Sequence, residues 1–176
     1  MGLGGTDTPI ERPDAAGRIV STLGRAVAWL TLIMTALIFA IVLLRYGANL
    51  GWIWLQESVT YLHAMVFMLA AAWAWQEDEH VRVDIFYRDR SLRHKSWVNL
   101  AGTVLFLVPF SLFMLLMGWD YVAASWQTQE GSREAGGLPL VYLLKSLILL
   151  MPALLLLQAI STVRICVRNL RRLDED

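Results

Sequence analysis

Histidine and cysteine are the residue types in this chain that could bind a cofactor, and they are few and far apart. The chain has three histidines, His63, His80 and His94, and one cysteine, Cys166. Haem held between helices needs two histidines at one depth, and only His63 lies in an apolar stretch. The zinc motif H-E-x-x-H, a phosphate-binding glycine loop and a G-x-S-x-G nucleophile turn do not occur. We therefore predict no catalytic, cofactor or metal site.

Three charged residues next to apolar stretches could instead form ion pairs. Glu57, Asp120 and Lys145 each stand near one end of such a stretch. Each side chain could extend to the lipid headgroups or to water, where its charge is solvated. Alternatively, Glu57 and Lys145 could meet each other or a partner subunit, because pairing lowers the cost of placing charge near the membrane interior. The sequence leaves both alternatives open.

Four uncharged apolar stretches must position these residues. They run from 26 to 44, 58 to 75, 97 to 119 and 146 to 163. At a rise of about 1.5 Å per residue, each spans roughly 27 to 35 Å, close to a hydrocarbon core of about 30 Å. With 57% hydrophobic residues and a mean hydropathy of +0.51, the chain is also too apolar for a soluble domain. The sequence therefore predicts an all-α integral membrane protein with four transmembrane helices and short amphipathic interfacial segments.

Prolines set further features of the predicted third and fourth helices. Pro139 suits the first turn of a helix, so the fourth helix is expected to cover residues 139–163. Pro109 and Pro152 each remove one amide hydrogen bond and crowd the carbonyl four residues before. We therefore expect the third and fourth helices to be kinked at these two prolines.

The distribution of lysine and arginine predicts the orientation of the helices. Of the 15 basic residues, all but three precede the first helix, join the second to the third, or follow the fourth. The exceptions are Arg45, Arg133 and Lys145. By the positive-inside rule both termini are cytoplasmic, and the other two loops lie outside. The predicted divisions are a disordered cytoplasmic tail at 1–17, a four-helix domain at 18–172 and a cytoplasmic tail at 173–176.

Charge and tryptophan placement agree with a membrane protein. All eight tryptophans fall near the predicted helix ends, as in the aromatic belt at the two membrane surfaces. The formal net charge is zero and the basic residues are dispersed among loops. Membrane lipids are therefore expected as partners, and nucleic acid is not.

Short motifs stand at three places along the predicted helices. They are Trp54-Leu55-Gln56-Glu57-Ser58 with Tyr61; Ala70 to Trp75 followed by His80-Val81-Arg82-Val83-Asp84; and Glu130-Gly131-Ser132 with Gly137-Leu138-Pro139, Lys145 and Pro152. In their order and spacing, they resemble the small permease (Q) subunit of the tripartite ATP-independent periplasmic (TRAP) transporters. The resemblance covers residues 18–172. It departs from the family at Gln56, where a first acidic residue is common, and at Asp78-Glu79, where a basic or small residue is usual.

The resemblance implies a division of labour among three subunits. A soluble periplasmic protein captures an organic acid, such as a dicarboxylate or sugar acid, and a large permease carries the substrate and sodium sites on an elevator-like moving domain. This chain would be a non-enzymatic scaffold beside the large permease in the bacterial inner membrane, would contribute to docking of the binding protein, and would need no cofactor. The residues expected to form partner interfaces or to stabilise the bundle are Trp54, Glu57, Tyr61, His80, Asp84 and Lys145.

A self-contained four-helix exporter of small molecules is the main alternative. Exporters of the small multidrug type place a glutamate in the middle of the first helix, where this chain has only Thr31 and Thr35 as polar residues. A four-helix membrane redox protein would need paired histidines or cysteines. The sequence therefore favours the transporter subunit over both.

Overall fold

A computed structural model describes residues 15–77 and 90–175, and the elements in these ranges are all helical. The α-helices are α1 (Ala15–Gly47), α2 (Ile53–Gln76), α3 (Leu92–Gly102), α4 (Val108–Gln127) and α5 (Val141–Glu175). A π-helical turn (Thr103–Leu107) joins α3 to α4, so that these two form one long span. Four spans are thus long and apolar enough to cross a membrane, which confirms the predicted all-α membrane fold.

The helices extend beyond the apolar stretches that predicted them. α1 begins at Ala15, before the predicted domain start at residue 18, and α5 continues to Glu175. Each is about 50 Å long, because a helix that leaves the hydrocarbon core can continue through polar residues at the membrane surface. α2 begins at Ile53, five residues earlier than the apolar stretch. His63 therefore lies nearly three turns from the start of α2. Residues 1–14, most of the predicted tail, lie outside the described residues.

Helix α5 forms the centre of the bundle and packs against each of the other four α-helices. In its most apolar 18-residue window 33% of the residues are buried, against 6–11% in the other three spans. The core cluster consists of Val20, Ala72, Leu107, Leu154, Leu155 and Ala159. Many large apolar side chains on the outer helix faces are exposed, among them Phe39 and Phe113. These faces suit contact with lipid or with another membrane subunit.

A glycine permits the close approach of α1 to α2. A Cβ atom added at Gly24 would lie 2.6 Å from the Cβ of Trp73, far inside van der Waals contact. The Trp73 indole is also held in place, because its Nε1 donates a hydrogen bond to Glu77 Oε1 at 3.0 Å. The indole therefore occupies the space that a side chain at position 24 would need.

The third span contains a π-helical turn just before Pro109. The missing amide hydrogen of this proline leaves the carbonyl of Leu105 without the usual partner four residues on. In the turn before it, the N–H of Val108 donates to the carbonyl of Thr103, five residues back. The local irregularity of the third span is therefore a π-helical turn, next to the proline at which a kink is predicted. At Pro152, α5 continues as an uninterrupted α-helix.

Candidate functional site

Glu57 ties the start of α2 to the loop between α4 and α5. Its carboxylate accepts a hydrogen bond from the Ser132 hydroxyl and another, at 2.6 Å, from the backbone N–H of Leu138. Ser132 and Leu138 are themselves joined, because the Ser132 N–H donates to the Leu138 carbonyl at 2.9 Å. The loop (residues 128–140) therefore folds back onto the first turns of α2.

Two glycines shape this loop. Gly136 has a φ of +79°, in the left-handed region that glycine adopts without strain. At Gly137 an added Cβ would lie 2.8 Å from Glu57 Oε2 and 2.6 Å from Ser132 Cβ. A larger residue at position 137 would therefore collide with both Ser132 and the Glu57 carboxylate.

Lys145 ties the same loop to α5. Its ammonium group lies 2.5 Å from Glu130 Oε2, and the Ser125 hydroxyl of α4 donates to that oxygen at 2.7 Å. The ammonium also lies 4.1 Å from the ring centroid of Tyr121, a cation–π contact with α4. Glu130 thus joins α4 and α5 through one carboxylate. We call the group Glu57, Ser125, Glu130, Ser132, Leu138 and Lys145 the polar clasp.

An aromatic contact supports the clasp on the side of α4 and α5. The rings of Trp126 and Tyr142 meet edge to face, with centroids 4.8 Å apart. The Trp126 Nε1 donates to the Ser146 hydroxyl at 2.8 Å, and the Ser146 hydroxyl donates to the Tyr142 carbonyl at 2.9 Å. These contacts fix the end of α4 relative to the start of α5. The two points between which the loop runs are therefore held in place.

The clasp favours the ionised form of Glu130. The hydrogen bond from Lys145, and after it the one from Ser125, lowers the pKa of Glu130 below its ordinary value. Its carboxylate therefore stays charged throughout the neutral range. The side chains of Lys145 and Glu130 retain 16% and 31% of their exposure, so water can still reach the pair.

The structure places the sequence-predicted site residues as follows. Glu57 and Lys145 both belong to the clasp, but each binds the loop and they do not pair with each other. Tyr61 lies one turn beyond Glu57, and its hydroxyl is buried without a hydrogen-bond partner among the described residues. Trp54 is exposed at the start of α2. His80 and Asp84 fall in the segment outside the described residues.

Glu57 and Lys145 bind loop residues instead of each other, and hydropathy does not indicate these contacts. Glu130 and Ser132 lie outside the apolar stretches, and the folded loop brings Ser132 to Glu57 of α2 and Glu130 to Lys145 of α5. The one sequence signal was the close spacing of Glu130, Ser132 and Gly137 before Lys145. Geometrically, the clasp can hold three helix ends and one loop together. In residues 15–77 and 90–175, no group of three His, Cys, Asp or Glu side chains could hold a metal ion.

Comparison with known proteins gives a family match that includes the whole clasp. The family model described as "Tripartite ATP-independent periplasmic transporters, DctQ component" matches residues 34–169, more than three quarters of the chain. The match begins in the middle of α1 and ends near the end of α5.

A curated relative agrees with this match over a shorter range. The C4-dicarboxylate TRAP transporter small permease protein DctQ of Vibrio cholerae serotype O1 is 27% identical over 88 residues. The aligned part is 50% of this chain and 38% of that protein. No solved structure matches the chain.

Proposed function

The chain belongs to the DctQ component family of the tripartite ATP-independent periplasmic transporters, and on this premise we propose that it supports sodium-driven uptake of an organic acid. As a member of this family with four membrane-spanning helices, it is a small permease subunit in the bacterial inner membrane. The relative's name suggests C4-dicarboxylates as the first substrates to test, with sugar acids as the second.

The proposed role is that of a scaffold for the large permease subunit. The bundle is built around one central helix and is closed at one end by the polar clasp, so it can act as a fixed body. Its four apolar stretches carry no Asp, Glu, Lys or Arg, and His63 is the one histidine within them. Carboxylates and strongly basic side chains at that depth are a usual mark of a substrate or ion pathway, so we propose that the sodium and substrate sites lie on the large subunit.

The observation that carries the docking part of the proposal is the fixed loop of the clasp. The segment Arg133–Gly136 is exposed at its tip, whereas the residues on either side of the tip bind α2 and α5. If the orientation predicted from the basic residues holds, this tip projects into the periplasm. A surface that is already ordered loses little entropy when a protein binds it, so the tip suits docking of the soluble binding protein.

A charge reversal at the tip tests this part of the proposal. Arg133→Glu should weaken capture of the purified binding protein by nanodiscs that hold both membrane subunits, and the loss should diminish at high salt. Arg90→Glu, the same change at the predicted cytoplasmic surface, is the matched control and should leave capture unchanged. If the Arg133→Glu variant captures as much binding protein as the parent, the loop is not part of the docking surface. If only Arg90→Glu lowers capture, the orientation of the chain is the reverse of the predicted one.

A further inference from the structure

Three arginines form a row near the end of α5, directly after its apolar stretch. That stretch ends at Val163, and Arg164, Arg168 and Arg171 follow it at spacings of four and three residues. Residues at these spacings lie on one side of a helix. All three arginines are exposed, and together with Val163 and Val167 they line a cavity of about 400 Å³. We call these five residues the basic groove.

The geometry of α5 directs the arginine side chains toward the membrane. Side chains on an α-helix tilt toward its N-terminus, and on that side of the groove lies the apolar stretch. From Arg164 to Arg171 the helix rises about 10 Å, and the headgroup layer on each side of a bilayer is about 5–8 Å thick. A long arginine side chain that points back along the helix covers the difference. All three guanidinium groups can therefore lie at headgroup depth.

The groove joins this positive charge to an apolar surface. Val163 and Val167 belong to its lining. Ile160 lies one turn before Arg164 on the same side of α5, and its side chain is 48% exposed. Apolar side chains on the side of the hydrocarbon core and guanidinium groups at the headgroup level match the two parts of a phospholipid, its acyl chain and its phosphate.

We propose that the basic groove binds the headgroup phosphate of an anionic phospholipid, such as phosphatidylglycerol or cardiolipin. A planar guanidinium group donates two parallel N–H bonds to a phosphate, which makes arginine well suited to this ligand. Arg164 and Arg168 also have interactions within the chain. Each guanidinium carries five N–H donors, so such an interaction leaves donors for the phosphate. The inference depends on the membrane location of the chain and not on its role in transport.

Charge and shape favour a lipid over other occupants. Two copies of the chain share one orientation in the membrane, so a symmetric contact would set each arginine beside its own counterpart, and like charges repel. A soluble phosphate compound has no part that covers Val163, Val167 and Ile160, whereas an acyl chain does. The positive-inside rule predicts that this end of α5 is cytoplasmic, and basic pockets on that side of a membrane protein bind acidic headgroups.

Removal of two arginines should lower the affinity of the full chain for anionic lipid. The purified chain in detergent is titrated with cardiolipin, and native mass spectrometry gives the fraction that retains one lipid. An arginine near an anionic headgroup contributes about fivefold in affinity, so Arg164→Gln with Arg171→Gln should weaken retention about 25-fold. The matched control is Arg18→Gln with Arg25→Gln, because these two exposed arginines of α1 are also seven residues apart but have no arginine between them. The control pair should change retention by less than about threefold, since one isolated arginine contributes no more than about fivefold.

Ligand chemistry tests the phosphate and the acyl chain separately. Phosphatidylglycerol and cardiolipin should be retained more strongly than phosphatidylcholine with the same acyl chains, because the choline group cancels the negative charge of the phosphate. Glycerol phosphate, which has the phosphate without acyl chains, should not displace bound cardiolipin at equal concentration. A phosphatidylglycerol with a diazirine on its acyl chain should crosslink in membranes to the peptide that contains Ile160 and Val163.

Each contrary outcome overturns the inference. An equal loss of cardiolipin with the α1 pair would show a general attraction of cations to acidic lipid. Displacement by glycerol phosphate would assign the groove to a soluble phosphate compound. Unchanged lipid retention together with reduced recovery of a partner protein would show that the arginines bind protein instead. The proposed transport role is tested by uptake, so it can fail or hold independently of these results.

Discussion

A methyl group placed at position 24 tests the closest helix contact of the bundle. Gly24→Ala puts a Cβ atom 2.6 Å from the Cβ of Trp73, an atom near the backbone that cannot swing away. Overpacking of this kind costs about 1–3 kcal/mol, because neighbouring side chains and backbone must shift. Replacing glycine by alanine inside a helix returns up to about 1 kcal/mol. In the single variant these two effects partly cancel. The change in its unfolding free energy therefore does not report the clash alone.

A double-mutant cycle with Trp73→Ala isolates the clash. The gain in helix propensity at position 24 is the same with or without the indole, and it therefore cancels from the cycle. What remains is the energy of forcing the methyl group against Trp73. We expect a coupling energy of about 1–3 kcal/mol, which corresponds to about 5-fold to 150-fold in the folding equilibrium constant.

The unfolding free energy of each variant can be measured on the full chain in mild detergent, by titration with SDS followed by circular dichroism. Gly102→Ala is the matched control, because nothing lies within 4 Å of the Cβ it adds. It should show no coupling to Trp73. Additive effects of Gly24→Ala and Trp73→Ala, within about 0.5 kcal/mol, would refute the packing described for α1 and α2.

Three further predictions concern the polar clasp and the topology. Lys145→Met should lower the melting temperature of the purified complex, because Glu130 loses the cation that its carboxylate binds; an unchanged melting temperature would mean that the pair contributes nothing. The pKa of Glu130 is lowered in the folded chain, so its stabilisation is complete above the ordinary value of about 4.5 and is lost as the pH falls through the lower folded value. The difference in melting temperature between the parent chain and Glu130→Gln should thus be constant from pH 6 to 8 and shrink below about pH 4.5; a difference that grows on acidification would contradict this sign. Asn49→Cys and Ala135→Cys should react with an impermeant thiol reagent added to intact cells, and Arg90→Cys should not; the opposite pattern would invert the topology.

The four spans could be predicted from the sequence because the hydrocarbon core imposes one requirement on every spanning segment. About 20 residues must avoid charge, and the chain shows that requirement four times. The ends of the helices could not be read in the same way. Beyond the hydrocarbon core polar residues are tolerated, so α1 begins at Ala15 and α2 at Ile53, outside their apolar stretches.

The clasp could be predicted only in part, because hydropathy carries no information on which side chains meet. The positions of Glu57 and Lys145 at one end of the bundle follow from the spans. Their partners depend on how the loop folds, and that fold requires a left-handed conformation at Gly136 and free space at Gly137. Similarly, Pro109 indicated where the third span is distorted, but the π-helical form of the distortion appears only in the structure.

Uptake into proteoliposomes is the most direct test of the central claim, that this chain supports transport by other subunits and has no pathway of its own. Labelled organic acids, with succinate as the first, are supplied outside under an inward sodium gradient. We expect uptake from liposomes that contain the large permease and this chain, with the binding protein added, and none from liposomes that contain this chain alone. Sodium-dependent uptake by this chain alone, or unchanged uptake when this chain is omitted, would contradict the claim.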